Sequence, residues 1–246
     1  MCQAKLRLVS LRMRASVSIL FQRRCQHKAR LLRPRGLRGA HASVQGLLDT
    51  LHAVRKAKST ARKLSHDDAD LLRAAVVFAG AGLDAVLKQL VVDALYIVID
   101  THESARRKFS SYGASLVTEQ PGLAKEVLGN LHPDQRMREA YTAHLTRGSL
   151  QSEGDLMAVR DALGISPTGA FEDGEIKSHG HFFKARNQIV HELDLKKPGG
   201  RGDYTRRTRS MAECRSQAND ALQLAAAYVI TVDKGLAQGG ASRLHP

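Results

Sequence analysis

Ser65-His66-Asp67-Asp68-Ala69-Asp70-Leu71-Leu72-Arg73-Ala74-Ala75-Val76-Val77-Phe78-Ala79-Gly80-Ala81-Gly82-Leu83-Asp84-Ala85-Val86-Leu87 is the stretch on which the fold turns. Two readings compete for it. In the first, Ser65 caps a helix: its hydroxyl can accept from an exposed amide, and Asp67 and Asp68 suit the positive end of the helix dipole. That helix runs on through Leu90, Val91, Leu95 and Ile99 and is apolar nearly all round, which predicts the buried central helix of a bundle. Asp84 and Lys88 are four apart with the acid first, the favourable order for a helical pair. In the second, Val76-Val77-Phe78 is a strand leading into Gly80-Ala81-Gly82-Leu83-Asp84-Ala85. This matches G-x-G-x-x-A, with Leu95 to Asp100 as a second strand ending in a ribose-binding acid. The second reading describes a Rossmann-type dinucleotide-binding enzyme. Against it, the Ser65 cap starts the helix before the supposed strand, and nothing downstream repeats the β–α alternation of a doubly wound sheet. The expected fold is therefore all-α, with the two glycines letting another helix pack closely.

Outward from this helix the signals stay helical. Upstream, Val44, Leu47, Leu48, Leu51 and Val54 fall at helical spacing between His41 and Leu64, and Arg55, Lys56, Lys58, Arg62 and Lys63 line the other face. Downstream, Pro121-Gly122, Gly129, His132-Pro133, Gly148 and Gly164 mark turns between short predicted helices at Leu123 to Leu128, Asp134 to Leu145 and Asp155 to Leu163. A further helix is predicted from about Glu175 or His181 to Leu195, then a basic connector from Lys196 to Asp203. Ser210-Met211-Ala212-Glu213 is a capping-box pattern opening a last helix, with a frayed tail from Gly235.

The 246 residues allow one domain and an appendage. Hydrophobic residues make up 43% and aromatics 4%, with no Trp, so Ala, Leu and Val must fill the core; that suits close-packed helices better than a β-sandwich. The net charge of +14 is uneven. No Asp or Glu occurs from Met1 to Leu48, where eleven Lys and Arg fall. Such an arm attracts phosphate backbones or anionic membranes, and it also has the look of a targeting leader or an over-extended start. The expected organisation is a basic arm without fixed fold over 1–40, a helical domain over 41–237 and a flexible tail over 238–246. Three scattered cysteines, Cys2, Cys25 and Cys214, give neither a disulfide framework nor zinc spacing, and predict a reducing compartment. The apolar run from Ala74 to Ile99 is broken by Asp84, Lys88 and Asp93, so no membrane span is expected, and the cytoplasm is the expected location.

The chemistry lies in Phe182-Phe183-Lys184-Ala185-Arg186-Asn187-Gln188-Ile189-Val190-His191-Glu192. At about 100° per residue, Phe182, Phe183, Ile189, Val190 and Leu193 all fall within about 60° of Arg186. Arg186 therefore sits mid-way across an apolar face. A guanidinium cannot shed its charge, and burying it unpaired costs several kcal/mol, so it needs a carboxylate, a partner chain or an anionic ligand. Asp84 and Asp194 are the carboxylates within the chain that would satisfy it. Asn187 and His191, four apart, share a polar stripe with Lys184 and Asp194.

Arg-Asn followed by His, with four residues between Arg and His, resembles the Rx4–6H motif of HEPN domains. The stretch Leu71 to Leu87, with its mid-helix acid, is similar to the long first core helix of that family, and most of all to the group described as RiboL-PSP-HEPN. The resemblance covers about Ser65 to Ala237. It implies an all-α HEPN-like bundle and metal-independent RNA cleavage by a homodimer, in a toxin or defence setting. Two motif helices would meet at a two-fold axis, and the ribose 2′-hydroxyl would attack the adjacent phosphate. His191 would move the proton, Arg186 would bind the phosphate, and Asn187 would orient His191 or bind a phosphate oxygen. Lys184, Lys196, Lys197 and Arg201 would hold the RNA backbone without reading sequence. The resemblance also admits an antitoxin or nucleotidyltransferase partner, and a non-catalytic RNA-binding or assembly module. No cofactor is implied. A metal site at His179, His181 and His191 is not expected, because the first two point apart and no acid or Cys completes a set.

Overall fold

The computed structural model describes residues 35–57, 64–199 and 204–241. Over these residues the chain is all-helical; the nearest thing to a sheet is one isolated antiparallel bridge between Leu195 and Arg206. Helix α1 (Arg35–Ala57) begins ahead of the expected start at His41, so that Leu37 and Ala40 pack on the core. The rest of the basic arm lies outside the described residues.

Helix α2 (His66–Thr101) is the axis of the bundle. Its cap is reciprocal: the Asp68 amide donates to Ser65 Oγ at 3.2 Å, and the Ser65 amide donates to Asp68 Oδ2 at 3.1 Å. By length and mean hydropathy α2 is apolar enough to cross a membrane, the acids and lysine notwithstanding, but Leu72, Leu83, Leu87, Leu90 and Leu95 are buried within the bundle. Val76 to Phe78 and Leu95 to Asp100 are both helical, which removes the dinucleotide-binding alternative. The glycines of the false fingerprint serve packing. A methyl on Gly82 would overlap the Ala40 side chain of α1, and one on Gly80 would crowd Gln151 and Arg186.

Helix α3 (Glu103–Glu119), for which the sequence reading made no prediction, is followed by α4 (Pro121–Leu128), α5 (Pro133–Thr146) and α6 (Glu153–Ala162), close to the expected spans. Proline at the first turn starts α4 and α5, where its missing N–H costs nothing. A 3₁₀ turn (Gly169–Phe171) is clamped by Phe171 meeting Tyr228 edge-on at 4.8 Å. The short α7 (Asp173–Ser178) leads into α8 (Gly180–Glu192), the motif helix. Helix α9 (Met211–Ala241) closes the bundle along α2, continuing past Gly235, where fraying was expected. Its cap is half a box: the Glu213 amide donates to Ser210 Oγ at 3.1 Å, while the Glu213 carboxylate turns to Gln217.

Candidate functional site

Helix α8 is anchored by its aromatic residues. Phe182 is fully buried, Phe183 nearly so, and their rings meet at 5.3 Å and 65°. This fixes the helix against α2 at Gly80. A Cβ at Gly80 would lie 3.4 Å from Arg186 Cγ, 3.6 Å from Phe182 Cζ and 3.1 Å from Gln151 Oε1. The missing side chain of Gly80 is thus the space that receives the Arg186 stem.

Arg186 is half-buried, as the apolar-face argument predicts, but it meets neither carboxylate considered for it. Asp84 accepts the Leu150 amide at 2.7 Å and pairs with Lys88 at 2.9 Å. Asp194 is taken by Arg73 and Arg209. Among the described residues Arg186 has no carboxylate partner at all. One NH₂ group donates to Asn187 Oδ1 at 2.9 Å, and its Nε is buried without an acceptor. Asn187 Oδ1 is thus engaged by Arg186, and no hydrogen bond joins Asn187 to His191 among the described residues. The charge of Arg186 is uncompensated and its outer edge is open.

His191 and Lys184 are exposed on the same helix. His191 has no hydrogen-bond or ion-pair partner among the described residues. At 1.5 Å and 100° per residue it stands about 7.5 Å along the axis from Arg186 and about 140° round. Val190 and Leu193 beside it are 40% and 66% exposed. Lys196 and Lys197 are exposed on the connector, and the Lys196 amide donates to Thr205 O at 2.8 Å. Arg201 lies outside the described residues. The chain thus brings Arg186 and Asn187 into contact and places Lys184 and His191 on the same helix.

Two expectations about this helix need correction. Asp194 does not share the polar stripe with His191, and Leu193 does not join the apolar face. The helix stops at Glu192 because Leu193 (φ 50°) and Asp194 (φ 59°) adopt the left-handed conformation. Two consecutive non-glycine residues there are costly and persist only when the surroundings enforce them. The enforcing contacts are visible. The Asp194 amide donates to Gln188 O at 2.8 Å. Its fully buried carboxylate receives Arg73 Nε at 2.8 Å and Arg209 Nε and NH₂ at 3.0 and 2.6 Å. Arg209 also reaches Gln188 Oε1 at 3.2 Å, and Arg73 reaches Arg207 O at 3.1 Å. One carboxylate between two guanidiniums thereby ties α2, the end of α8 and the entry to α9 at the point from which His191 projects. The sequence carries a signal for this node: Arg73 stands in the apolar run Leu71-Leu72-Arg73-Ala74-Ala75-Val76 and needs a counter-charge, as Arg186 on its apolar face does.

Among the described residues no group of three His, Cys, Asp or Glu side chains is placed to hold a metal ion. His181 Nδ1 meets Ser178 O at 2.6 Å, and burial pushes the His179 pKa below its ordinary value. The chain matches no family model, no curated protein and no solved structure.

Proposed function

We propose that this chain is a metal-independent endoribonuclease of HEPN type, acting as a homodimer in the cytoplasm. The observation that carries the reading is Arg186: a cation held on an otherwise apolar helix face, steadied by Asn187, with no carboxylate among the described residues to neutralise it. Such a group is built to receive an anion, and a phosphodiester fits its forked donors. His191 is the proton carrier on the same helix. In the reaction, the 2′-oxygen bonds to phosphorus as its proton passes to a base. The bond from phosphorus to the 5′-oxygen breaks, and that oxygen leaves with a proton. The products are a 2′,3′-cyclic phosphate and a 5′-hydroxyl. Arg186 stabilises the charge gathered on the phosphoryl oxygens.

The wide angle between Arg186 and His191 favours a composite site in which one protomer supplies the cation and its partner the imidazole. Exposed Val190 and Leu193 give the second copy an apolar edge to cover. Lys184, Lys196, Lys197 and Arg201 add backbone affinity. An antitoxin or nucleotidyltransferase partner would cover the same face. A second reading, a non-catalytic RNA-binding module, is favoured by His191 itself: no group among the described residues fixes its tautomer.

The test is cleavage of an oligodeoxynucleotide carrying one ribose, in EDTA. Cleavage at the ribose alone, with a cyclic phosphate end, is the expected result. His191→Ala should reduce the rate by about 10² to 10⁴ and leave affinity within a few-fold. RNA binding without any cleavage would establish the second reading, and cleavage of an all-DNA strand would overturn the mechanism.

A further inference from the structure

Gln151 sits between two fixed points. On one side the Leu150 amide is held by Asp84 Oδ1 at 2.7 Å; on the other, Ser152 caps α6 by accepting the Asp155 amide at 3.1 Å. Asp84 lies one helical turn beyond Gly80 on α2. The backbone of Gln151 is therefore pinned so that its side chain lies over the Gly80 notch, where Arg186 also packs. The Gln151 side chain is more than nine-tenths buried, and its Oε1 has no donor. Arg186 Nε, two bonds beyond the Cγ that touches the notch, is buried with no acceptor. A buried donor and a buried acceptor, both unsatisfied, thus stand on two side chains packed over one glycine. Leaving such groups unpaired is costly, and each is the kind of partner the other lacks.

We infer that Gln151 is a positioning residue for Arg186: its amide oxygen accepts the Arg186 Nε–H from the buried side and turns the guanidinium's outer edge toward the bound phosphate. The inference rests on the proposed role of Arg186 as a phosphate receptor. An amide is the right chemistry for the task. Gln151 from within and Asn187 from outside are neutral acceptors, so they orient the guanidinium and leave its full charge for the ligand. A carboxylate in either place would hold the arginine as firmly but cancel that charge. Gly80 is part of the same device, because a side chain there would push Gln151 and Arg186 apart. Asp84 gains a role as well, since it fixes the segment that carries Gln151.

Two measurements on the full chain separate this inference from the nuclease reading. The first is the Arg186 Nε–H resonance in the free ¹⁵N-labelled protein, assigned through Arg186→Lys. It should exchange slowly with solvent in the wild type and at least 10-fold faster in Gln151→Leu. The second is binding of an RNA oligonucleotide with a 2′-deoxy cut site across a salt series. Gln151→Glu should keep the wild-type melting temperature or raise it, yet weaken binding 10-fold or more at low salt. It should also lower the magnitude of the log–log salt slope by about 0.7, the share of one contact to a single strand. A merely structural glutamine would give no change in that slope. Fast exchange of Nε–H in the wild type, or an unchanged salt slope in Gln151→Glu while Arg186→Ala weakens binding, overturns the role of Gln151. Slow exchange that depends on Gln151, together with RNA affinity indifferent to Arg186→Ala, keeps the Gln151 contact and removes both the phosphate-receptor role and the nuclease reading. If Gln151→Leu fails to fold, Gly80→Ala takes its place in the first measurement, with the same expected loss of protection.

Discussion

Replacing Asp194 by Asn tests what holds the end of the motif helix. The carboxylate is 0% exposed and takes three hydrogen bonds from two guanidiniums whose own side chains are 9% and 6% exposed. Asn keeps the size of the side chain and tolerates the left-handed backbone, so the change removes charge and little else. It leaves Arg73 and Arg209 buried side by side without their shared counter-charge; Arg73 keeps the half-exposed Asp70 at 2.9 Å and the Arg207 carbonyl at 3.1 Å. Breaking a buried ion pair from one side costs about 3–5 kcal/mol. For a domain of this size each kcal/mol moves Tm by about 2–4 °C, so the fall should be roughly 6–20 °C. The assay is urea unfolding with a thermal scan beside it, and Glu103→Gln as control. Glu103 meets Arg107 at 3.5 Å with both side chains about three-quarters exposed, and losing such a pair costs at most about 1 kcal/mol. Adding Arg209→Met to Asp194→Asn should restore part of the loss, because it deletes one of the stranded cations. A loss under about 1 kcal/mol for Asp194→Asn, equal to the control, would refute the reasoning.

Gly82→Ala should destabilise the fold by about 1–3 kcal/mol in urea unfolding, since its methyl would overlap Ala40 of α1; a neutral result would mean that α1 does not approach α2 so closely. Cys214 is buried, and burial above all pushes its thiol up to about 11; in a Cys2→Ser, Cys25→Ser background it should resist a thiol reagent at pH 8 until urea unfolds the chain. His179 has its pKa lowered from 6.5, chiefly by burial, with His181 acting in the same direction and Asp220 and Glu175 opposing. In the window between its folded value and 6.5 the unfolded chain binds the extra proton, so His179 stabilises the fold fully above that window and loses its contribution as pH falls through it. His179→Gln should therefore flatten the fall in Tm on that acid limb, and an unchanged slope would sink the assignment.

The fold was legible wherever one residue type had one physical use. The Ser65 cap and the apolar run behind it specify α2, and the capped, periodic segment behind Ser210 specifies α9. Helix α3 carries helical spacing at Ala105, Phe109, Tyr112 and Leu116, but Ser110, Ser111, Gly113 and Ser115 between them have low helix propensity and dilute the signal. The end of α8 was misplaced for a different reason. Nothing in Leu193-Asp194 announces a left-handed turn, and the residues that enforce it, Arg73 and Arg209, lie far away in sequence. Gln151 carries no local signal at all, since its burial depends on Gly80 and Asp84.

Arg73 and Arg186 put the same question to the sequence and receive opposite answers. Each is a guanidinium among apolar neighbours, Arg73 in an apolar run and Arg186 on an apolar helix face, and each requires a counter-charge. Arg73 lies on α2 where the exit from α8 delivers Asp194, and there it gains a carboxylate shared with Arg209. Arg186 lies against Gly80, where the neighbouring acid, Asp84, is already spent on the Leu150 amide and on Lys88. What the fold delivers to Arg186 is two amides, and of those only Asn187 is within bonding distance. A neutral partner orients a cation without discharging it, so among the described residues the electrostatic demand of Arg186 is left unmet. That difference in partner, and not the arginine's place on an apolar face, is what sets Arg73, a structural cation, apart from Arg186, the proposed receptor. On the proposed function, loss of activity without loss of fold should be sought in substitutions that give Arg186 a carboxylate partner, which none of the described residues supplies.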